Sequence, residues 1–582
     1  MKTLLTTLNS KFIHSSLAIR YLWSYNKRHF PDINIKEYTV NNNLDYILGE
    51  IYKGQYDLVC FSCYIWNINE TLEIAKNLKK VKRDVKILLG GPEVSYNVKE
   101  ILEEHKYIDY VVFGEGELTL NELFDLLYNK EGNIYDIRGL GFKDKDNIYV
   151  NEERPLIQDL DHIPFPYEDL KELDHKIIYY ESSRGCPFNC QYCLSSTLKG
   201  VRCFSLDRIK KDLKKFVDAD VKQVKFVDRT FNADKKHCLE IMKYIQKIDN
   251  GKINFHFEIT AYLLDEEILD FLKGVRRGLF QFEIGIQSTS TETLREIKRN
   301  MDFEKIKYII NRLISYDNIH IHLDLIAGLP YENYKTFSRS FDDVYSLKSN
   351  KIQLGFLKLL RGSGLRINKE KYGYIYKDKP PYEVMCNNYI TYKDMLKLKQ
   401  IEEMLEQYYN SHSFNCSVEY IIKEYYNSSF KFYEDLAEYW EESGYHHVSH
   451  KKDDFYKILL DFYVENSFDN IDIFKEILKF DYLRNKRGNL PKFFNSITIE
   501  DFKNRCHEFL QNEENIDKYL PEFRGMTAKK IIKKVHFETF KYDIFSLINE
   551  ASEINCEKIT ILFNYEIDNK DFERSKYFKV NI

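Results

Sequence analysis

The sequence predicts an α/β protein in three parts: an N-terminal doubly wound parallel sheet, a central partial (β/α)6 barrel and a mainly helical C-terminal domain. From Met1 to about Val150 short apolar runs alternate with helical patterns, the order of a sheet covered on both faces. The same alternation resumes after Cys193, and beyond about Pro380 glycines thin out and aromatic-rich helical stretches take over. At 582 residues the chain exceeds what one hydrophobic core sustains. The expected division is 1–150, a linker at 151–175, a barrel at 176–375 and a last domain at 376–582.

In the first part the strands are expected at Lys2–Leu8, Ile33–Tyr38, Leu58–Tyr64, Lys86–Leu89 and Tyr110–Phe113. Helical patterns fill Ser16–Tyr25, Leu44–Lys53, Asn69–Val81, Val98–Glu104 and Thr119–Tyr128 between and after them. Such sheets bind ligands at the carboxyl ends of their strands. The loops there are small and polar: Ser62 to Asn67, then Gly90, Gly91, Pro92 and Glu93, then Gly114, Glu115, Gly116 and Glu117. Glycines in those loops let a flat ligand approach the backbone closely. Asp159–Tyr167, DLDHIPFPY, reads as linker because its two prolines bar a helix.

The stretch Glu181–Ser196, ESSRGCPFNCQYCLSS, holds Cys186, Cys190 and Cys193 in Cys-x3-Cys-x2-Cys spacing. Three soft thiolates converging in one loop suit three irons of a [4Fe-4S] cube and leave the fourth iron open. Gly185, Pro187 and Asn189 favour a loop that curls around such a cluster. A structural zinc site needs a fourth ligand at motif spacing; Cys203 follows in what reads as the start of a helix. Eleven cysteines, an odd number without a secretory signal, argue against a disulfide framework. Cys60, Cys63, Cys203, Cys238, Cys386, Cys416, Cys506 and Cys556 read as small buried residues. Cys60 and Cys63, three apart in a strand, face opposite sides of the sheet and share no metal.

At the cysteine loop the chain resembles the radical SAM superfamily, in which an open iron chelates the amino and carboxylate groups of S-adenosylmethionine (SAM). With FSCYIWN, LLGGPEVS and DYVVFGEGE ahead of that loop, it resembles the cobalamin-dependent radical SAM proteins. The resemblance implies cobalamin contacts from Ser62, Tyr64, Trp66, Asn67, Gly90, Gly91, Pro92, Glu93, Gly114, Glu115 and Gly116. The Asp-x-His-x-x-Gly motif that gives cobalt a histidine elsewhere is missing; the corresponding stretch is LNSKFIHSS, with His14. Members of the family commonly bind cobalamin without that histidine, and His14 reads as a loop or helix-start residue.

Barrel strands are expected at Val224–Val227, Phe255–Ile259, Gln281–Ile286, His320–Ala327 and Gln353–Leu359, and active-site groups sit at the carboxyl ends of such strands. FVDRTFNAD carries Asp228, Arg229 and Thr230 and resembles the family's FxDDTF segment, with Arg229 in place of an acid. Glu258 ends the next strand; Glu283, Gln287 and Ser288 lie in FEIGIQSTS; Asp324 opens DLIAGLP. By resemblance Asp228, Glu258, Glu283, Gln287, Ser288 and Asp324 bind SAM, and Arg299 takes its carboxylate as a bidentate partner.

The last third is expected to be helical at Lys393–Tyr408, Ser417–Tyr426, Phe430–Glu442 and Asp454–Val464, with strands at Lys558–Ile567 and Tyr577–Ile582. His446, His447 and His450 have ligand-like spacing but lie in a polar loop, where solvated histidines are the ordinary reading. This region resembles an uncharacterised C-terminal extension of one branch of the family and carries no legible chemistry of its own.

Composition narrows the function classes. The chain is 43% apolar and 30% charged, with a net charge of −5, so nothing pulls it toward nucleic acid or an anionic membrane. It has no apolar run of membrane-spanning length and Met1–Leu8 is too short for a signal peptide; a cytoplasmic location is expected. The resemblance implies an enzyme with a [4Fe-4S] cluster, SAM and cobalamin, and reduced flavodoxin or ferredoxin as electron donor. The leading activity is methyl transfer to an unactivated carbon through a 5′-deoxyadenosyl radical and methylcobalamin. Ring formation or rearrangement without methyl transfer, and modification of tRNA or a peptide, are the alternatives. The identity of the substrate is not legible.

Overall fold

The computed structural model describes residues 1–197, 200–548, 557–566 and 575–582. Two compact units are present, Met1–Asn333 with Gly355–Thr391, and Tyr334–Leu354 with Tyr392–Ile582.

The first unit opens with β1 (Thr3–Asn9), β2 (Ile33–Thr39), β3 (Leu58–Ser62), β4 (Lys86–Gly90), β5 (Tyr110–Val112), β6 (Leu140–Asp144) and β7 (Asn147–Val150). They form one sheet in the order β2-β1-β3-β4-β5-β6-β7, parallel through β5. β1 is buried along all seven residues, as expected of a strand covered on both faces. Alternate residues feed two cores: Leu4, Leu8, Val59, Phe61, Ile87 and Leu89 on one face, Leu5, Leu58, Cys60 and Leu88 on the other. Cys63 packs in the first core and Cys60 in the second, and burial pushes both thiols up.

The sheet is not wholly parallel. β6 and β7 form an antiparallel hairpin added to β5. Its tight turn places Lys145 at φ 53°, a conformation usually betrayed by glycine or asparagine, and Lys145 gave no such cue. The linker contains two short turns, Leu160–His162, capped by Asp159, and Lys171–Leu173.

A second sheet follows in the same unit: β8 (Ile178–Tyr180), then, after a two-stranded antiparallel ribbon of β9 (Ser183–Cys186) and β10 (Gly200–Cys203), β11 (Gln223–Phe226), β12 (Asn254–Ile259), β13 (Phe280–Gln287) and β14 (His320–Ala327). β8, β11, β12, β13 and β14 are parallel neighbours in that order. The chain adds the end of a further strand from Gly355, where Leu357 N donates to Ala327 O at 2.9 Å. This is the partial parallel barrel. Cys203 departs from expectation: it is an exposed strand residue of β10, and the helix begins only at Leu206, behind a Ser205 cap that accepts from Arg208 N.

The second unit is mainly helical. Tyr392–Leu405, Asn415–Tyr425, Ser429–Glu442 and Lys452–Glu465 match the expected helices to within a few residues, and Ile471–Asn485, Phe502–Gln511 and Glu513–Tyr519 add to them. An antiparallel sheet of Val535–Phe540, Ile559–Asn564 and Lys576–Val580 ends the unit. Cys556 and Ile567 lie outside the described residues. The three histidines do not converge: His446 Nδ1 lies 3.1 Å from Glu403, His450 bonds Tyr445 O, and His447 is exposed.

Candidate active site

β9 delivers Cys186, and the chain then leaves the ribbon. Gly185, at φ 98°, has no room for a side chain: a Cβ there would meet Gly200 O at 2.0 Å. A turn from Cys193 N to Cys190 O, 3.1 Å, brings the second and third cysteines round. All three line one open cavity with Arg229, Thr230, Glu258, Glu283, Gln287, Arg299 and Asp324. Each sulfur has a polar group nearby: Thr230 Oγ1 at 3.6 Å from Cys186, and the donors Arg299 Nη1 at 3.7 Å from Cys190 and Ser195 N at 3.4 Å from Cys193. Among the described residues no three His, Cys, Asp or Glu side chains are drawn together as a finished metal site. The donor set, three soft thiolates on one wall with hydrogen-bond donors behind them, fits an iron-sulfur cluster with one iron left open.

The opposite wall is acidic. Glu258, Glu283 and Asp324 project from three successive strands, β12, β13 and β14. Glu283 is neutralised: Lys225 Nζ is 2.9 Å away and His256 Nε2 3.0 Å. Burial alone raises its pKa, but His256 and Lys225 outweigh that and pull it down to about 2. Burial, with Glu283 next, raises Glu258, and burial followed by Glu283 and Glu258 pushes Asp324 up to about 8. Asp324 Oδ1 and Gln287 Oε1 are buried without a hydrogen-bond partner. Gln287, at φ 72°, ends the bulge that turns β13 against β14.

Other expected SAM contacts have different employment. The Asp228 carboxylate is fully buried and accepts from Ser182 N at 2.9 Å, Ser182 Oγ at 2.7 Å and Ser183 Oγ at 2.5 Å. It therefore anchors the start of β9. Ser288 Oγ donates to Glu332 at 2.6 Å, away from the cavity lining. The Arg299 guanidinium bonds Gly285 O and, at 3.1 Å, Tyr192 OH, so its fork is already engaged.

At the first sheet the loops after β3, β4 and β5 show a similar division. Gly91, at φ 103°, lies so close to the next loop that a Cβ would meet Cys63 O at 2.6 Å, whereas Gly114 faces open space. Tyr64 and Trp66 stack at 4.3 Å, Trp66 is 45% exposed, Gly90 and Ser62 close the strand ends, and Pro92 is exposed. Gly116 starts the helix to Phe124. These small residues and the stack of half-buried Tyr64 with exposed Trp66 fit a broad flat cofactor. Asn67, fully buried, spends its side chain on Leu8 O, Ser62 O, Thr7 and Tyr64 N. Glu93 accepts from Tyr382 and Arg361. His14 bonds Tyr179 OH at 2.7 Å.

Glu115 joins the two sheets. It pairs with Arg202 at 2.8 Å and Arg184 at 3.4 Å, and Arg184 also pairs with Glu117 at 2.6 Å and Glu181 at 2.9 Å. The ribbon that carries Cys186 is thereby bolted to the loop after β5. Lys225, His256, Arg184 and Glu181 were not singled out from sequence; each is defined by a partner far along the chain.

Comparison with known proteins agrees with this arrangement. Residues 4–124 match the B12 binding domain, 180–344 the Radical SAM superfamily, and 370–563 a family described as a protein of unknown function, DUF4080. An uncharacterized methyltransferase of Pyrococcus horikoshii, PH0819, is 30% identical over 254 residues, 42% of this chain and 54% of the relative. The cobalamin-dependent radical SAM methyltransferase TokK of Streptomyces tokunonensis is 25% identical over 300 residues, 48% of this chain and 44% of TokK. The chain thus spans about half the length of the curated relatives it matches. The structure of the cobalamin-dependent SAM radical enzyme OxsB superposes with a TM-score of 0.58 at 15% identity, over 83% of this chain and 79% of that one, and shares its fold. With a B12-binding domain at 4–124 and then a radical SAM domain at 180–344 that holds the cysteine triad, the chain has the domain order of, and is similar to, the cobalamin-dependent radical SAM proteins.

Proposed function

We propose that this protein is a cobalamin-dependent radical SAM methyltransferase acting on an unactivated carbon. The carrying observation is that the three cysteines and the carboxylates of β12, β13 and β14 line one cavity, with the ribbon that carries Cys186 tied by Arg184 and Arg202 to the first sheet. Cys186, Cys190 and Cys193 would hold the cluster, the cavity would take SAM, and the loops after β3, β4 and β5 would hold cobalamin. When bound, these groups supply a 5′-deoxyadenosyl radical and a transferable methyl. Residues 1–150 would be the cobalamin-binding part, 151–175 the linker, 176–375 the barrel, and 376–582 the mainly helical C-terminal domain. Reduced flavodoxin or ferredoxin would supply the electron.

The chain's own residues position and shield. Asp228 holds Ser182 and Ser183, and through them the strand that presents Cys186. Arg299 fixes the bulge at Gly285 against Tyr192. Glu283 with Lys225 and His256 forms a charged floor that needs no solvent to neutralise it. Such preorganisation aligns reactants and excludes water from a radical.

The test is product mass. Anaerobic incubation of the loaded enzyme with reductant, SAM and candidate substrates should give 5′-deoxyadenosine and a product heavier by one methylene. A product of unchanged mass with a new ring would refute methyl transfer and leave radical chemistry standing. SAM cleavage that survives replacement of all three cysteines by Ala would refute both.

A further inference from the structure

The three cavity sulfurs differ in the charge of their polar neighbours. Cys186 has Thr230 Oγ1 at 3.6 Å, but that hydroxyl directs its proton to Arg229 O at 2.8 Å. Cys193 has a backbone amide, Ser195 N, at 3.4 Å. Of the three, only Cys190 has a cation as its donor, Arg299 Nη1 at 3.7 Å from Sγ.

The local chain fixes that contact from both sides. Gln191 N donates to Ile297 O at 3.0 Å, which ties the cysteine loop to the turn just ahead of Arg299. Lys298 takes φ 53° in that turn, and Arg299 N bonds back to Leu294 O at 2.9 Å. The guanidinium is then held by Gly285 O at Nη2 and by Tyr192 OH, 3.1 Å from Nη1.

Its charge meets no carboxylate. The hydrogen-bond partners of the Arg299 side chain are a carbonyl, a phenol and a thiol, and among the described residues no ion pair joins it to an acid. Asp324 feels the charge at longer range, yet burial first, then Glu283 and Glu258, pushes its carboxyl up to about 8, so it keeps its proton at pH 7. Nε is buried without a partner and stays open to a ligand; the contact with sulfur does not use it. A guanidinium drawn from water needs an anion, and the one in reach is the Cys190 thiolate with the cluster it would hold.

One electron from an external donor takes [4Fe-4S]2+ to [4Fe-4S]+; no bond breaks and no proton moves. The assembly of irons, sulfides and thiolates becomes more negative by one charge. A cation hydrogen-bonded to one of its sulfurs stabilises the more negative state by more than the other, and hydrogen bonds to the sulfurs help set the potential of such clusters. We propose that Arg299 is a redox-tuning residue that acts through Cys190 to raise the reduction potential of the cluster. The proposal rests on the cluster reading of the three cysteines and is separate from any contact of Arg299 with SAM.

The experiment is a potentiometric titration of the cluster-loaded protein with dithionite, without SAM, in which electron paramagnetic resonance reads the reduced cluster. In Arg299→Gln the ratio of reduced to oxidised cluster at a given potential should fall about tenfold, a move of about 59 mV to lower potential for one electron. Arg299→Lys, which keeps the charge, should lie between Arg299→Gln and wild type. A potential in Arg299→Gln that leaves the ratio within about twofold of wild type, or an equal fall in Arg299→Lys, would overturn the proposal. Where Arg299→Gln takes up no cluster, wild type grown on isotope-labelled arginine supplies the answer: pulsed resonance of its reduced cluster should show a coupled arginine nitrogen, and absence of that coupling would overturn the proposal as well. A wild-type protein that takes up no [4Fe-4S] cluster would instead refute the cluster reading beneath it.

Discussion

Replacing Glu283 with Gln removes the closest counter-charge of Lys225, 2.9 Å away, and the acceptor facing His256. The Glu283 carboxyl titrates at about 2 in the fold against an ordinary 4.5, and a shift of that size corresponds to about 3 kcal/mol of stability at neutral pH. Both side chains keep roughly a fifth of their surface exposed, which places the effect at the lower end of the roughly 3–5 kcal/mol seen on breaking buried pairs. The sign follows from the depressed pKa: the contribution is complete above about pH 4.5 and is lost as pH falls toward 2. Urea unfolding of wild type, Glu283→Gln, Lys225→Met and the double variant at pH 7 forms a cycle. The expected coupling is about 1–3 kcal/mol, with the double variant nearer wild type than the sum of the singles. Coupling below about 0.5 kcal/mol would show that the pair is not a unit and that the cavity floor has been misread.

Gly91→Ala forces a left-handed backbone on alanine and drives its Cβ into Cys63 O; cobalamin retention, read from the visible spectrum, should fall while iron content holds. Asp228→Ala strips three donors at Ser182 and Ser183 of their acceptor, and should lower iron per chain after reconstitution with cobalamin binding kept. Asp324, raised to about 8 by burial first and then by Glu283 and Glu258, binds a proton in the fold that the unfolded chain has released. Stability should therefore decline as pH rises from about 5 to about 8, and Asp324→Asn should flatten that slope in urea titrations across the same range.

Much of the site was legible because its residues lie in short local strings. The cysteine spacing needs only eight consecutive residues, and each carboxylate lies in an alternating apolar run whose period marks a strand. Parallel topology then places those strands side by side. What escaped depends on distant partners. Asp228 reads like a ligand until Ser182 and Ser183, 46 and 45 residues away, are seen to claim it. Glu115 reads like a loop acid until Arg202, 87 residues on, takes both its oxygens. Lys225 looks like the exposed position of an amphipathic strand, because alternation marks it polar without saying that the polar face is a barrel interior. The β6–β7 hairpin was hidden by a turn without glycine, and Cys203 by the helix pattern that starts just after it.

The central claim is tested most directly by purifying the protein anaerobically with cobalamin supplied, quantifying iron, sulfide and cobalt, and recording the visible spectrum. The account predicts four irons and about one cobalamin per chain, with the iron lost when Cys186, Cys190 and Cys193 are replaced by Ala and the cobalamin kept. Four irons without cobalamin would contradict the assignment of the first sheet and end the case for methyl transfer. Iron that survives the triple replacement would contradict the site itself.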